Sequence, residues 1–97
     1  MILRWTRRAL GDLQRITEHI AGDNPLAAAD FAAAVQASAA RLQRFPLLGR
    51  IGAFQDTREL IVHRNHIVTY CVRGAEVQVL QLWHVARNRP RSSRGQP

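Results

Sequence analysis

Arginine and histidine are the residues here with chemistry to offer. Arg58 lies beside Glu59, and His84 stands three positions before Arg87. Arginine makes planar, two-point contacts to phosphate and carboxylate and stacks on bases. An imidazole titrates near neutrality, so His84 is suited to moving protons. His63 and His66 flank an expected turn and are cross-strand neighbours. Zinc would need a third ligand beside them, and none is evident, so no metal and no cofactor is expected. His19 falls on the polar side of an expected helix. Cys71 is the single cysteine, which excludes an internal disulfide and a cysteine zinc cage. Ser38, Ser92 and Ser93 form no Ser-His-Asp arrangement. Gly49-Arg50-Ile51-Gly52 lacks the Gly-Lys-Ser/Thr of a phosphate loop. Tyr70 and Trp83 are read as packing residues.

The elements that must position these groups follow from periodicity. Ile2 to Trp5 read as a short strand. Thr6 is an N-cap, and Leu10, Leu13, Ile16 and Ile20 recur at helical spacing over residues 7–21, with Gly22 as the stop. Asn24-Pro25 opens a second helix, whose stripe of Ala28, Phe31, Val35 and Leu42 ends before Pro46. The short link makes the two helices an antiparallel hairpin. Residues 45–56 are a connection. Thr57–His63, His66–Arg73 and Glu76–Val85 are strands joined at Arg64-Asn65 and Gly74-Ala75, the second a type II′ turn. The expected fold is α+β: an N-terminal strand, the hairpin on one face of the sheet, then a three-stranded antiparallel meander. Residues 1–87 form one domain and 88–97 a mobile basic tail.

Composition narrows the classes. The chain has 97 residues, 46% apolar and 22% charged, an ordinary globular balance. The longest apolar run, Phe31 to Val35, is far too short to span a membrane. The start shows no secretory pattern, which points to the cytoplasm. All fourteen basic residues are arginine, and the net charge is +7. Such an excess calls for an acidic partner, whether nucleic acid or protein.

If both turns hold two residues, the pairing is fixed. One face then collects Ile61, Val68, Tyr70, Val72, Val77, Val79 and Trp83. The other collects Leu60, Val62, Ile67, Cys71, Leu80 and Leu82, among Arg58, Thr69, Arg73, Gln78 and His84. A single hairpin covers one face only, so the second is expected to be an exposed apolar patch rimmed by arginines.

Three stretches in this order carry a resemblance: Arg58-Glu59-Leu60-Ile61-Val62, Asn65 to Val72, and Val77 through Leu82-Trp83-His84-Val85-Ala86-Arg87. Together they resemble the RelE/ParE toxin superfamily, nearest its ParE branch, the toxins of plasmid-stabilisation type toxin–antitoxin systems. An Arg-Glu-Leu strand, a strand ending in Tyr-x-Val and a last strand ending in His-x-x-Arg mark that branch; here Cys71 stands in the middle of Tyr70-Cys71-Val72.

The resemblance implies a growth-arresting toxin held inactive by an acidic antitoxin in a hetero-oligomer. Arg58, Arg73, His84 and Arg87 would rim the antitoxin groove, and Leu60, Val62, Ile67, Leu80 and Leu82 would line it. Target contacts would fall on Arg7, Arg8, Arg15 and Arg41. RelE-type relatives cut messenger RNA on the ribosome, using basic groups on the exposed sheet face and a late tyrosine to move protons and stabilise phosphorane charge. Here Leu60 and Ile67 occupy two of those basic positions, and no tyrosine follows Arg87. The ParE reading, inhibition of DNA gyrase, is therefore preferred. The alternative is a ribosome-dependent endoribonuclease using Arg58, His84 and Arg87, and the third reading is a small basic nucleic-acid-binding protein.

Overall fold

In the computed structural model, which describes residues 1–86, Thr6 joins the first strand to the first helix. Its hydroxyl accepts from the Ala9 N–H at 3.2 Å and donates to the Val79 carbonyl at 2.8 Å. One side chain thus caps helix α1 (Arg7–Asp23) and ties strand β1 (Ile2–Trp5) to strand β5 (Glu76–His84). Helix α1 runs through Gly22 rather than stopping there. Asn24 alone links it to α2 (Pro25–Ala40). The Asn24 N–H closes α1 on the Ile20 carbonyl at 2.8 Å, and its side chain caps α2 by accepting from the Ala27 N–H at 3.1 Å. A 3-10 turn, Arg41–Gln43, ends the hairpin.

Five strands form one sheet in the order β1-β5-β4-β3-β2, with β2 Arg50–Ile51, β3 Arg58–His63 and β4 His66–Arg73. The β1–β5 pair is parallel and the others antiparallel. Arg4 and Glu76 bridge the parallel pair at 3.1 Å. The Glu76 carboxyl lies below its ordinary pKa, first because Gln78 donates to it and then because Arg4 is near. The two-residue β2 falls inside the expected connection; it adds a short edge to the meander. The domain is α+β, as expected, with both helices on one face: α1 lies over β5 and α2 over β3. No described helix is long and apolar enough to cross a membrane. The tail 88–97 and Arg87 lie outside the described residues.

The hairpin's Phe31, Val35 and Leu42 pack on Leu60, Val62, Val68, Tyr70, Val77, Val79 and Leu82. Each such side chain contributes about 1.5–3 kcal/mol relative to exposure. Ala28, Phe31, Val35 and Leu42 are buried as the helical stripe predicts, whereas Leu10 is exposed and Ala9 and Asp12 turn inward instead.

Both turns have the expected length, yet the pairing departs from the expectation. His63 faces His66, but Ile61 then faces Ile67, leaving Val62 as an extra residue in β3. Tyr70 faces Val79, but Thr69 faces Gln81, leaving Leu80 extra in β5. Each bulge shifts every later pair by one. Leu60, Val62 and Leu82, expected on the second face, therefore lie in the core beneath the helices, while Ile61 and Trp83 take the second face. Gly74 has φ of 59°, whereas Ala75 does not enter the left-handed region, as a type II′ turn requires.

Candidate functional site

The second face is not the bare patch that a regular meander predicts. Ile67 and Trp83 are only 2% and 6% exposed, and Cys71 and Thr69 are also buried. The β5 bulge supplies the cause. It brings the large Trp83 ring to this side, opposite Ile67, and its indole N–H reaches diagonally to the Thr69 hydroxyl at 2.9 Å. The ring thus lies across β4 and shields it.

Exposed apolar surface gathers instead on the connection between α2 and β3. Phe45, Leu47 and Ile51 are 57%, 66% and 73% exposed, with Leu48 beside them. This segment is firmly held. The buried Tyr70 hydroxyl donates to the Pro46 carbonyl at 2.7 Å and accepts from the Gly49 N–H at 2.9 Å. The Arg58 guanidinium donates to the Gly49 carbonyl at 2.8 Å and to the Leu47 carbonyl at 3.4 Å. Glu59 binds Arg50 at 3.2 Å and accepts from the Ala53 N–H at 3.3 Å. Gly49 is required by close approach: a Cβ there would lie 2.7 Å from the Glu59 carbonyl oxygen and 2.8 Å from the Tyr70 ring. Burial raises the Tyr70 phenol above its ordinary 10.0, against smaller opposing effects of the Gly49 N–H and the Arg58 charge, so it stays protonated and able to donate.

Between this segment and the sheet lies a groove of about 590 Å³, lined by Leu47, Ile51, Gln55 to Arg58, Cys71 to Arg73 and Leu80. A smaller one, about 350 Å³, lies beyond Ile51 along Ile67, Trp83 and Val85. The larger groove mixes apolar walls with two guanidinium groups, Arg58 and Arg73. Such a surface suits a peptide carrying both aliphatic and acidic side chains.

The structure brings together three of the residues read from sequence as a partner groove: Arg58, Arg73 and Leu80. Of the others, Arg87 lies outside the described residues, and the rest do not line this groove. Leu60, Val62 and Leu82 are core residues, and Ile67 is buried in the second face. His84 pairs with His66, five positions beyond the Val79 that lies in line with Tyr70 and Arg58. Because Leu80 is bulged, the four β4 positions from Tyr70 to His66 set the separation, which places His84 roughly 13 Å along the strand from Arg58. Its Nδ1 accepts from the Ala86 N–H at 3.1 Å, and its ring stands edge-on to His66 at 4.9 Å. His63 and His66 are cross-strand partners as expected, and both rings pack against Phe31. Among the described residues no group of three or more His, Cys, Asp or Glu side chains is arranged to hold a metal. On α1, Arg8 and Arg15 both pair with the buried Asp12, while Arg7 and Arg41 are exposed and enter no ion pair among the described residues. Sequence reasoning missed Phe45, Leu47, Ile51 and the clamping role of Tyr70. The available signal was five large apolar or proline residues in Phe45 to Ile51, a density that ordinary polar connections lack.

A strand, a helix hairpin on one sheet face and a basic antiparallel meander form the architecture of the RelE/ParE superfamily. The comparisons with known proteins narrow the class. Residues 3–89 match the family described as the ParE toxin of the type II toxin–antitoxin system parDE. The chain therefore belongs to the ParE toxin family. It is 36% identical over 83 residues to Toxin RelE2 of Caulobacter vibrioides, covering 86% of this chain and 93% of that one. It is 34% identical over 89 residues to Putative toxin Y4kP of Sinorhizobium fredii, covering 91% and 92%. A solved structure titled Chromosomal ParDE TA system from P. aeruginosa superposes with a TM-score of 0.82 at 28% identity, covering 88% of this chain and 96% of that one. Membership in a toxin–antitoxin family implies an antitoxin partner.

Proposed function

We propose that this toxin arrests growth in the cytoplasm by inhibiting DNA gyrase, and that its antitoxin is an acidic protein forming a hetero-oligomer with it. The observation that carries gyrase over RNA is the dispersal of the groups that phosphodiester cleavage needs together. A ribonuclease must set a base, an acid and cations around one phosphate. Here Arg58 is spent on two loop carbonyls, and His84 lies far along the sheet from it. Leu60 and Ile67 are buried, so neither position offers a cation. The net charge of +7 supports an acidic partner. Arg7 and Arg41, which enter no ion pair among the described residues, are readier target contacts than Arg8 and Arg15. The name of the Caulobacter relative, Toxin RelE2, favours the second reading, a ribosome-dependent endoribonuclease using Arg58, His84 and Arg87.

Induced expression in bacteria separates the two. Growth arrest with relaxed reporter plasmids and intact messages supports gyrase inhibition, and co-expression of the cognate antitoxin restores growth. Site-specific message cleavage, abolished by His84→Ala while plasmids stay supercoiled, overturns it.

A further inference from the structure

We infer that Phe45 to Ile51 is a preformed apolar ridge on which an acidic amphipathic segment of a partner protein docks, with Tyr70 and Arg58 as positioning residues beneath it. Exposed aliphatic side chains on a slack loop would rearrange and lose part of any binding energy to ordering. This segment is instead clamped at three carbonyls and one amide by buried or half-buried side chains. A buried phenol committed to holding a loop whose own side chains face water stabilises the shape of that loop. The clamped Leu47 and the β2 residue Ile51 line the groove together with Val72 and Leu80 of the sheet. Such an apolar lining accepts the anchor side chains that dominate interface energies.

Charge selects the occupant. Arg41 and Arg44 precede the ridge, Arg50 lies within it, and Arg58 and Arg73 line the groove. The acids close by are Asp56 and Glu59; Glu59 and Arg50 neutralise each other, which leaves Arg41, Arg44, Arg58 and Arg73 against Asp56. Two copies of this chain would bring like charge together at this surface, which disfavours self-association. An acidic segment is complementary. On the reading above that segment belongs to the antitoxin, and the inference rests on that reading for the partner's identity.

The test is calorimetric titration of the full-length chain with its full-length cognate antitoxin. Leu47→Ser/Ile51→Ser removes the ridge at two exposed positions. Leu10→Ser/Leu26→Ser removes two exposed leucines of the hairpin as a control. Tyr70→Phe releases the clamp while leaving the ridge side chains in place. The ridge variant is expected to weaken binding about 30-fold or more, and the control less than about 3-fold. Tyr70→Phe is expected to weaken binding about 10-fold and to speed hydrogen exchange of the Gly49 amide, a readout that lost apolar contact alone would not move. Tight binding that the ridge variant leaves unchanged overturns the inference and leaves the antitoxin reading standing. No binding by the wild-type chain overturns the antitoxin reading. Self-association of the isolated chain, abolished by the ridge variant, assigns the ridge to a second copy and overturns the acidic occupant.

Discussion

Asp12 supports a sharp test of how the β5 bulge is held. It is a buried carboxylate on α1 with two separable sets of partners. One oxygen accepts from the Leu82 backbone N–H at 3.0 Å, just past the bulged Leu80 and beyond the end of β1. The other oxygen pairs with Arg15 and, at 3.6 Å, with Arg8. Those arginine side chains are 68% and 67% exposed, so each pair contributes about 0–1 kcal/mol. The Leu82 amide is buried, and stripping it of a charged acceptor costs about 2–3 kcal/mol. Asp12→Ala should therefore lose about 2–3 kcal/mol, a large share of a total stability on the order of 5–15 kcal/mol. Asp12→Asn keeps an acceptor oxygen for Leu82 and should lose about 1 kcal/mol or less. In urea unfolding followed by circular dichroism, the alanine variant is expected to lower the midpoint by roughly 1–2 M and the thermal midpoint by about 10–20 °C. If Asn destabilises as much as Ala, the ion pairs rather than the amide hold the site, and the reasoning fails.

The parity of β3 is tested by Leu60→Arg beside Ile61→Arg. The first places a charge in the core and should cost about 4 kcal/mol or more; the second, on the exposed face, should stay within about 0.5 kcal/mol by urea unfolding. Equal effects would contradict the bulge at Val62. Gly49→Ala drives a Cβ into the Glu59 carbonyl and the Tyr70 ring and should cost about 1–3 kcal/mol in the same assay; a neutral outcome would show that the loop is loose. Tyr70 is the only tyrosine, so its phenolate absorbance can be followed alone. Its folded pKa is raised above 10.0, so the stability it brings is full below that pH and declines as pH rises toward the folded value. Tyr70→Phe should abolish that alkaline decline, and an unchanged decline would refute the burial of the hydroxyl.

Much of the fold was legible because local chemistry and tertiary need agree. Thr6, Asn24 and Pro25 mark helix ends by backbone requirements that packing cannot override. Phe31, Val35 and Leu42 repeat at a spacing that only one helix face satisfies. Gly74 fixes its hairpin through a positive φ. The bulges at Val62 and Leu80 were not legible, because a bulge leaves the alternation of apolar residues along each strand nearly intact. Only pairing with the neighbour reveals it, and pairing decides which of Leu60 or Ile61, and Leu82 or Trp83, meets the helices. Asp12 was opaque for a related reason: its partner is a backbone amide seventy positions away. The ridge was overlooked because Pro46, Gly49 and Gly52 announce a connection, and a connection's exposed leucines look incidental until Tyr70 is seen holding them. Of the residues expected to form an arginine-rimmed apolar groove, Arg58, Arg73 and Leu80 line the larger groove, while the bulges turn Leu60, Val62 and Leu82 toward the helices.

Gyrase inhibition without RNA cleavage is the central proposal for this toxin. Its most direct test is a supercoiling assay with purified gyrase and relaxed plasmid, run with the full-length chain alone and with its cognate antitoxin. The expected result is dose-dependent loss of supercoiling that the antitoxin reverses. Full gyrase activity at every dose, with the same preparation cleaving messages on translating ribosomes, would contradict it.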